Sequence, residues 1–262
     1  NADAVQVYKG LDIGSAKVTE EEKEGIPHHL LDFKEVTEEY TIYHYQKDCR
    51  EKIKDIQSRN KTPILVGGTG LYIKAALYDY KLSEEKSTNT YDNLTNEELY
   101  EELKKLDKDI IIDKDNRRRL IRAINYYKEN NESINKNKTN KLLYNVIFIG
   151  LTTDRQVLYD KINKRVDEMI SQGLLEEVKS FYDKGIKSKP LLNAIGYREL
   201  YNYLDGNGTK EEAIEKIKQN SRHYAKRQYT FFNHQLPVVW FETDYNNFNN
   251  TIEKVASYID SN

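Results

Sequence analysis

Thr62-Pro-Ile-Leu-Val66-Gly67-Gly-Thr-Gly70, followed by Leu71, Ile73 and Leu77, is the stretch from which the fold is read. The short apolar run after Pro63 fits a buried parallel strand, with proline tolerated at its start. Glycines follow at positions 67, 68 and 70, and the apolar spacing then becomes that of a helix. Strand, glycine turn and helix in this order form the α/β pattern, in which ligands sit beyond the carboxyl end of the strand.

The same alternation extends outward from this stretch. Upstream, residues 40–60 have helical periodicity, with Tyr45, Cys49, Ile53 and Ile56 on one stripe. Asp3 to Tyr8 reads as the end of a strand running into a loop. Downstream, residues 145–151 form a second buried strand, and a long helix starts near Asp154. Residues 173–184 continue it or form another helix. Thr209 with Glu212 caps a helix running towards Phe232. A final strand covers 237–241 and a final helix 250–260. Two polar stretches, 81–94 and 130–140, interrupt this order. Between them lie a helix capped by Thr95 and Glu98 and another from Asp115 to Lys128, with Leu120, Ala123, Ile124 and Tyr127 facing inward. The expected organisation is a mostly parallel sheet with helices on both faces, from residues 1–80 and 141–262, carrying a small all-helical insertion at 81–140.

Bulk properties exclude several classes. The chain has 262 residues, 38% hydrophobic and 32% charged, with a formal charge of −2. Such a chain folds around a real core. Without a global basic excess, any nucleic-acid binding relies on local patches of Lys and Arg. Cys49 is the one cysteine, so neither an intrachain disulfide nor a cysteine zinc site can form. No apolar run approaches the ~18 residues of a membrane helix, and no signal peptide is visible. The 21 tyrosines read as composition, not as a functional stripe.

Four segments hold polar groups that a packed core does not need. Asp3 and Gln6 stand at a strand end, where a carboxylate acts as a general base or merely caps a turn. Gly67 to Gly70 presents the Thr69 hydroxyl where backbone can approach a ligand, though a tight turn alone explains it. It lacks the spacing of a Walker A loop. Arg118 and Arg122 share one helix face, with Arg119 beside them and Leu120 and Ile121 between; phosphate clamping and a solvated face both fit. Arg222, His223, Tyr224, Ala225, Lys226 and Arg227 form a second basic stretch, and cations late in a helix are also ordinary dipole partners. Arg198 follows a glycine turn and could meet an anion. His28 and His29 lack a third metal ligand at a sensible spacing.

Together these segments resemble the tRNA dimethylallyltransferase family. The resemblance rests on Asp3-Ala-Val-Gln-Val-Tyr-Lys-Gly-Leu-Asp-Ile-Gly-Ser-Ala-Lys17, Gly25 to Asp32, Ile64 to Tyr72 and Asn116 to Ala123. Arg165 to Met169, Gly173 to Val178, Ala194 to Glu199 and Ala225 to Thr230 extend it. Order and rough spacing agree over nearly the whole chain. The resemblance implies a P-loop-NTPase-like core with a helical insertion that grips the tRNA anticodon arm. It implies transfer of a dimethylallyl group from its diphosphate to the N6 amine of the adenosine 3′-adjacent to the anticodon. The base is then flipped into a channel, as in other enzymes that act on a base. It also implies Mg2+ on the diphosphate, a cytoplasmic location and a monomer.

Carried over residue by residue, Asp3 matches the general base and Thr69 the hydroxyl lining the channel. Ala4, Val5 and Gln6 match contacts to the target base and its neighbours, and Arg198 matches an arginine near the diphosphate. Arg118, Arg119, Leu120, Ile121 and Arg122 fall in the insertion's tRNA-contact stretch. Residues 222–227 fall in the C-terminal one. The family's P-loop, with its first strand and helix, would precede residue 1 as a unit of roughly 30 or more residues. On that reading residues 1–262 alone do not bind the donor properly. The stretch from Tyr80 to Leu99 is shorter than in relatives, and Phe231 and Phe232 stand where relatives have a Trp. The competing expectations are a tRNA-binding remnant without chemistry and a nucleoside or nucleotide kinase.

Overall fold

The computed structural model describes residues 1–80, 82, 91–135 and 141–262; the expected loops at 81–94 and 130–140 fall partly outside them. The chain forms two compact units, residues 1–77 with 144–262, and residues 78–143.

In the first unit, α1 (Ile42–Ser58) buries Tyr45, Cys49 and Ile53 along one stripe, and α2 (Gly70–Leu77) follows the glycine turn. The second unit holds α3 (Asn96–Leu106) and α4 (Arg117–Asn130). Thr95 and Glu98 cap α3 reciprocally, each bonding the other's backbone N–H at 3.2 and 2.7 Å. Asn116 caps α4, accepting from the Arg119 N–H at 3.2 Å. Leu99 and Leu103 of α3 and Leu120, Ala123 and Ile124 of α4 close a separate small core with Tyr91 and Ile110.

The chain then resumes the first unit with β1 (Ile149–Thr152), α5 (Arg155–Ser171), α6 (Leu174–Tyr182), α7 (Lys189–Asn193) and α8 (Tyr197–Leu204). It ends with α9 (Lys210–Gln235), β2 (Val239–Glu242) and α10 (Phe248–Asp260). β1 and β2 are parallel neighbours, Ile149 opposite Val239 and Thr152 opposite Glu242. The class is α/β. Asp154 caps α5 by accepting from the Gln156 and Val157 N–H groups at 2.8 and 3.2 Å. α9 has no Gly or Pro in its 26 residues and ends at Gln235, its C-cap Leu236 being the residue before Pro237, where helical backbone is disfavoured. Its length lets one helix pack on α2, α5 and α8.

The strand expected at 62–66 does not form. A strand needs a lateral partner, and among the described residues Val66 offers its carbonyl only to the Ala2 N–H, at 2.7 Å. Ile64 and Val66 are 81% and 67% exposed. The strand end expected at 3–8 is instead a turn, and 6–9 meets 32–34 through single bonds such as Lys9 N–H to Lys34 O at 2.8 Å. Helices α7 and α8 are additions; their short spans carry too few turns for periodicity to register.

Several tyrosines, among them Tyr8, Tyr40, Tyr72, Tyr78 and Tyr91, belong to the core. Tyr45, Tyr197 and Tyr201 are among the largest enclosed side chains. Burial of a phenol requires a partner for its hydroxyl. Tyr45 donates to Asn1 O at 3.0 Å, Tyr201 to Ile186 O at 2.7 Å, and Tyr197 to the Glu177 carboxylate.

Candidate active site

Asp3 sits in a turn built by its own side chain. Its Oδ1 accepts the N–H groups of Val5 at 2.8 Å and Gln6 at 3.2 Å. Both bonds fall on one oxygen, and among the described residues none falls on Oδ2. The carboxylate is thus anchored at one side and uncommitted at the other. Asn1 braces the turn from behind, its Oδ1 accepting the Asp3 N–H at 3.0 Å.

The glycine turn docks on this segment. The Thr69 N–H donates to Ala2 O at 3.0 Å, and Thr69 Oγ1 accepts the Ala4 N–H at 3.0 Å. Asp3 and Thr69, 66 positions apart, are therefore held within one hydrogen-bonded knot. The glycines make the approach feasible. A Cβ on Gly67 would lie 2.3 Å from the Ala2 carbonyl carbon, and one on Gly70 would lie 2.3 Å from the Phe231 ring.

α9 forms the adjoining wall. Gln228 donates its amide to Gly68 O at 2.9 Å. The Tyr224 hydroxyl lies near Thr69 and Gln228 and in the field of Asp3. Burial first, then the Asp3 charge, push its phenol above the ordinary range, so Tyr224 stays neutral. Burial also raises Tyr72, with smaller contributions from Tyr8 and Asp3. Gln228 and Tyr72 were not singled out in the sequence, because a lone Gln in a helix and a Tyr in a tyrosine-rich chain carry no signal. The arrangement offers a fixed carboxylate, a neighbouring hydroxyl and a neutral phenol.

Gln6 is more committed than its sequence position implies. Its amide donates to Ser15 O at 3.0 Å and Ala16 O at 3.3 Å, tying the Asp3 turn to the loop at 11–17. Within that loop Lys17 reaches Tyr8 O, Asp12 and Asp32 at 2.7, 2.6 and 2.6 Å.

Arg198 occupies the first turn of α8. Its Nε donates to Glu199 at 2.6 Å, and its side chain is 39% exposed. Glu199 is 4% exposed and also accepts from the Gly196 N–H and from Asn220, at 2.8 and 2.6 Å. This buried carboxylate holds one edge of the guanidinium.

On α9, Arg222 bonds Asn163 at 2.6 Å, and the Arg227 guanidinium lies 5.6 Å from the Tyr224 ring centre. His223, Lys226 and Arg227 are exposed, while Tyr224 and Ala225 are half-buried. In the helical unit Arg118 and Arg119 are exposed and Arg122 half-buried. Leu120 is 0% exposed and Ile121 packs against the same core, so their side chains hold the helices together and Leu120 cannot touch a ligand. Arg117, adjacent in sequence, is used up locally, bonding the Leu94 and Tyr91 carbonyls at 2.6 Å each.

Among the described residues no group of three or more His, Cys, Asp or Glu is arranged to hold a metal ion, His28 and His29 included. None of their helices is long and apolar enough to cross a membrane.

Comparison with known proteins places these residues in context. Residues 6–235 match the family model described as IPP transferase. The tRNA dimethylallyltransferase of Anoxybacillus flavithermus is 48% identical over 270 residues, covering 99% of this chain and 87% of that one. That of Geobacillus thermodenitrificans is 46% identical over 273 residues, with the same coverage. The crystal structure of the full-length tRNA isopentenylpyrophosphate transferase from Bacillus halodurans superposes with a TM-score of 0.76 at 40% identity, covering 99% of this chain and 86% of that one. A eukaryotic dimethylallyltransferase solved acting on tRNA gives 0.85 at 26% identity, covering 98% and 70%.

Proposed function

The chain belongs to the IPP transferase family, and we propose from that premise that it moves a dimethylallyl group from dimethylallyl diphosphate to N6 of the adenosine 3′-adjacent to the anticodon of tRNA. The observation that carries the reading is the Asp3–Thr69 knot, in which two segments of the matched sequence meet around a carboxylate with one uncommitted oxygen.

In the proposed reaction the exocyclic N6 attacks C1 of the allyl group. The C1–N bond forms as the C1–O bond breaks, and the electron pair leaves with the diphosphate. Asp3 Oδ2 takes the proton that the amine loses. A base held by hydrogen bonds needs little rearrangement when the proton arrives. Thr69 and Tyr224 line the base side, where neutral hydroxyls orient the adenine without competing for the proton. Arg198 meets the diphosphate with the guanidinium edge that Glu199 leaves unused, pairing its charge as the leaving group develops. Arg118, Arg119 and Arg122 contact tRNA phosphates in one unit, and Arg222, Lys226 and Arg227 in the other. Family membership brings the expectation of Mg2+ with the donor, but the described residues supply no cluster of His, Cys, Asp or Glu to hold it.

The test is transfer of label from dimethylallyl diphosphate to tRNA, in parallel with ATP as donor. Label from the allyl donor on the target adenosine supports the reading. Phosphate transfer from ATP with none from the allyl donor replaces it by a kinase.

A further inference from the structure

Three stretches of the chain that the reaction does not use directly, residues 11–17, the start of α6 and the start of α8, meet at one carboxylate. Glu177 Oε2 accepts the N–H groups of Asp12 and Ile13 at 3.0 and 2.8 Å, and Oε1 accepts that of Gly14 at 3.1 Å. Oε1 also takes the hydroxyl hydrogen of Tyr197. Successive backbone N–H groups pointing to one spot make an anion-binding concavity. Here the anion is supplied by the chain itself. Tyr197 is fully enclosed, and burial, followed by the charge of Glu177, raises its phenol, so it remains a donor. The fit is close: a Cβ on Gly14 would lie 2.5 Å from the Tyr197 ring.

From this clamp an unbroken series of hydrogen bonds leads to Asp3. The loop is closed by Ala16 N–H to Ile13 O at 3.0 Å and Lys17 N–H to Asp12 O at 2.9 Å. Its Ser15 and Ala16 carbonyls take the Gln6 amide, and the Gln6 N–H in turn binds Asp3 Oδ1 at 3.2 Å. We propose that Glu177, with Tyr197, is a positioning residue for prenyl transfer, setting the 12–17 loop so that Gln6 holds Asp3 in its reactive orientation. This rests on the reading of Asp3 as the general base. A purely fold-stabilising clamp is the rival account, and the two differ in what they do to the transfer step on folded, tRNA-bound enzyme.

The experiment uses Glu177→Gln and Tyr197→Phe in the full-length protein. Transfer is measured as a single turnover with enzyme in excess over tRNA and saturating it, and with the allyl donor saturating, so that a misfolded fraction does not change the rate constant. tRNA affinity and amide hydrogen exchange at Asp12 to Gly14 are read on the same samples. Because misplacing a reacting group costs up to about 100-fold, Glu177→Gln is expected to slow transfer by at least about 10-fold. Tyr197→Phe, which keeps the ring and the carboxylate, is expected to slow it by about 3-fold, as loss of one hydrogen bond would. tRNA affinity should stay within about 2-fold, since no phosphate contact is removed. The loop amides should lose protection in Glu177→Gln. An unchanged rate constant with unprotected amides overturns the positioning role, and a rate loss matched by an equal loss of tRNA affinity does so too. Protected amides in Glu177→Gln overturn the clamp itself. If the wild type transfers no allyl group while its amides are protected and those of Glu177→Gln are not, the clamp stands and the prenyl-transfer reading fails.

Discussion

At the residue scale the account turns on how Asp3 is held. Its Oδ1 is committed to two backbone N–H groups and its Oδ2 is not. Asp3→Asn keeps the shape and removes the base. It is expected to lower the rate of transfer by about 10²- to 10⁴-fold with tRNA binding retained, as for loss of a general base. Steady-state kinetics beside filter binding would show this, and wild-type turnover would remove Asp3 from the role. The glycine turn makes a separate prediction. Gly67→Ala forces a Cβ against backbone at Ala2, which has no rotamer to yield. It should destabilise the first unit by about 1–3 kcal/mol or more, whereas Gly68→Ala meets only the tip of Gln228 and should cost less. Denaturant melts of the two variants would rank them.

At the scale of elements, the sequence was most informative where local chemistry decides the outcome. Thr95 with Glu98, Asp154, and Thr209 with Glu212 each marked a helix start that the structure shows with the cap bonds in place. The β-strand expected at 62–66 failed because a strand depends on a neighbour, which periodicity does not reveal. Gln228 and Glu177 were illegible for the same reason: each acts on backbone more than 150 positions away. The roles proposed for Asp3, Thr69 and Arg198 come from resemblance, whereas the nearness of Tyr224 to Thr69 and the Glu199 carboxylate on Arg198 emerge from geometry. In the helical unit, Thr95→Ala should cost about 1 kcal/mol through its lost cap, and Leu103→Ala about 2–5 kcal/mol through a cavity. Hydrogen exchange of α3 and α4 amides would report both, and equal effects would contradict the assignment of Leu103 to the centre of that core.

At the scale of the whole molecule, a chain of formal charge −2 must bind a polyanion through local cations. The patches proposed for this are Arg118, Arg119 and Arg122 in one unit and Arg222, Lys226 and Arg227 in the other. Arg119→Ala removes an exposed guanidinium with little effect on folding. It should weaken tRNA binding and lower the slope of log affinity against log salt by about one, as loss of one phosphate contact does. An unchanged slope would return that helix face to simple solvation.

The central claim, allyl transfer at an Asp3-centred site, is tested most directly by incubating the full-length protein with tRNA and labelled dimethylallyl diphosphate, then digesting the tRNA to nucleosides. The account predicts label on N6 of the adenosine 3′-adjacent to the anticodon, nearly absent with Asp3→Asn. Label elsewhere, or equal label with Asp3→Asn, would contradict it.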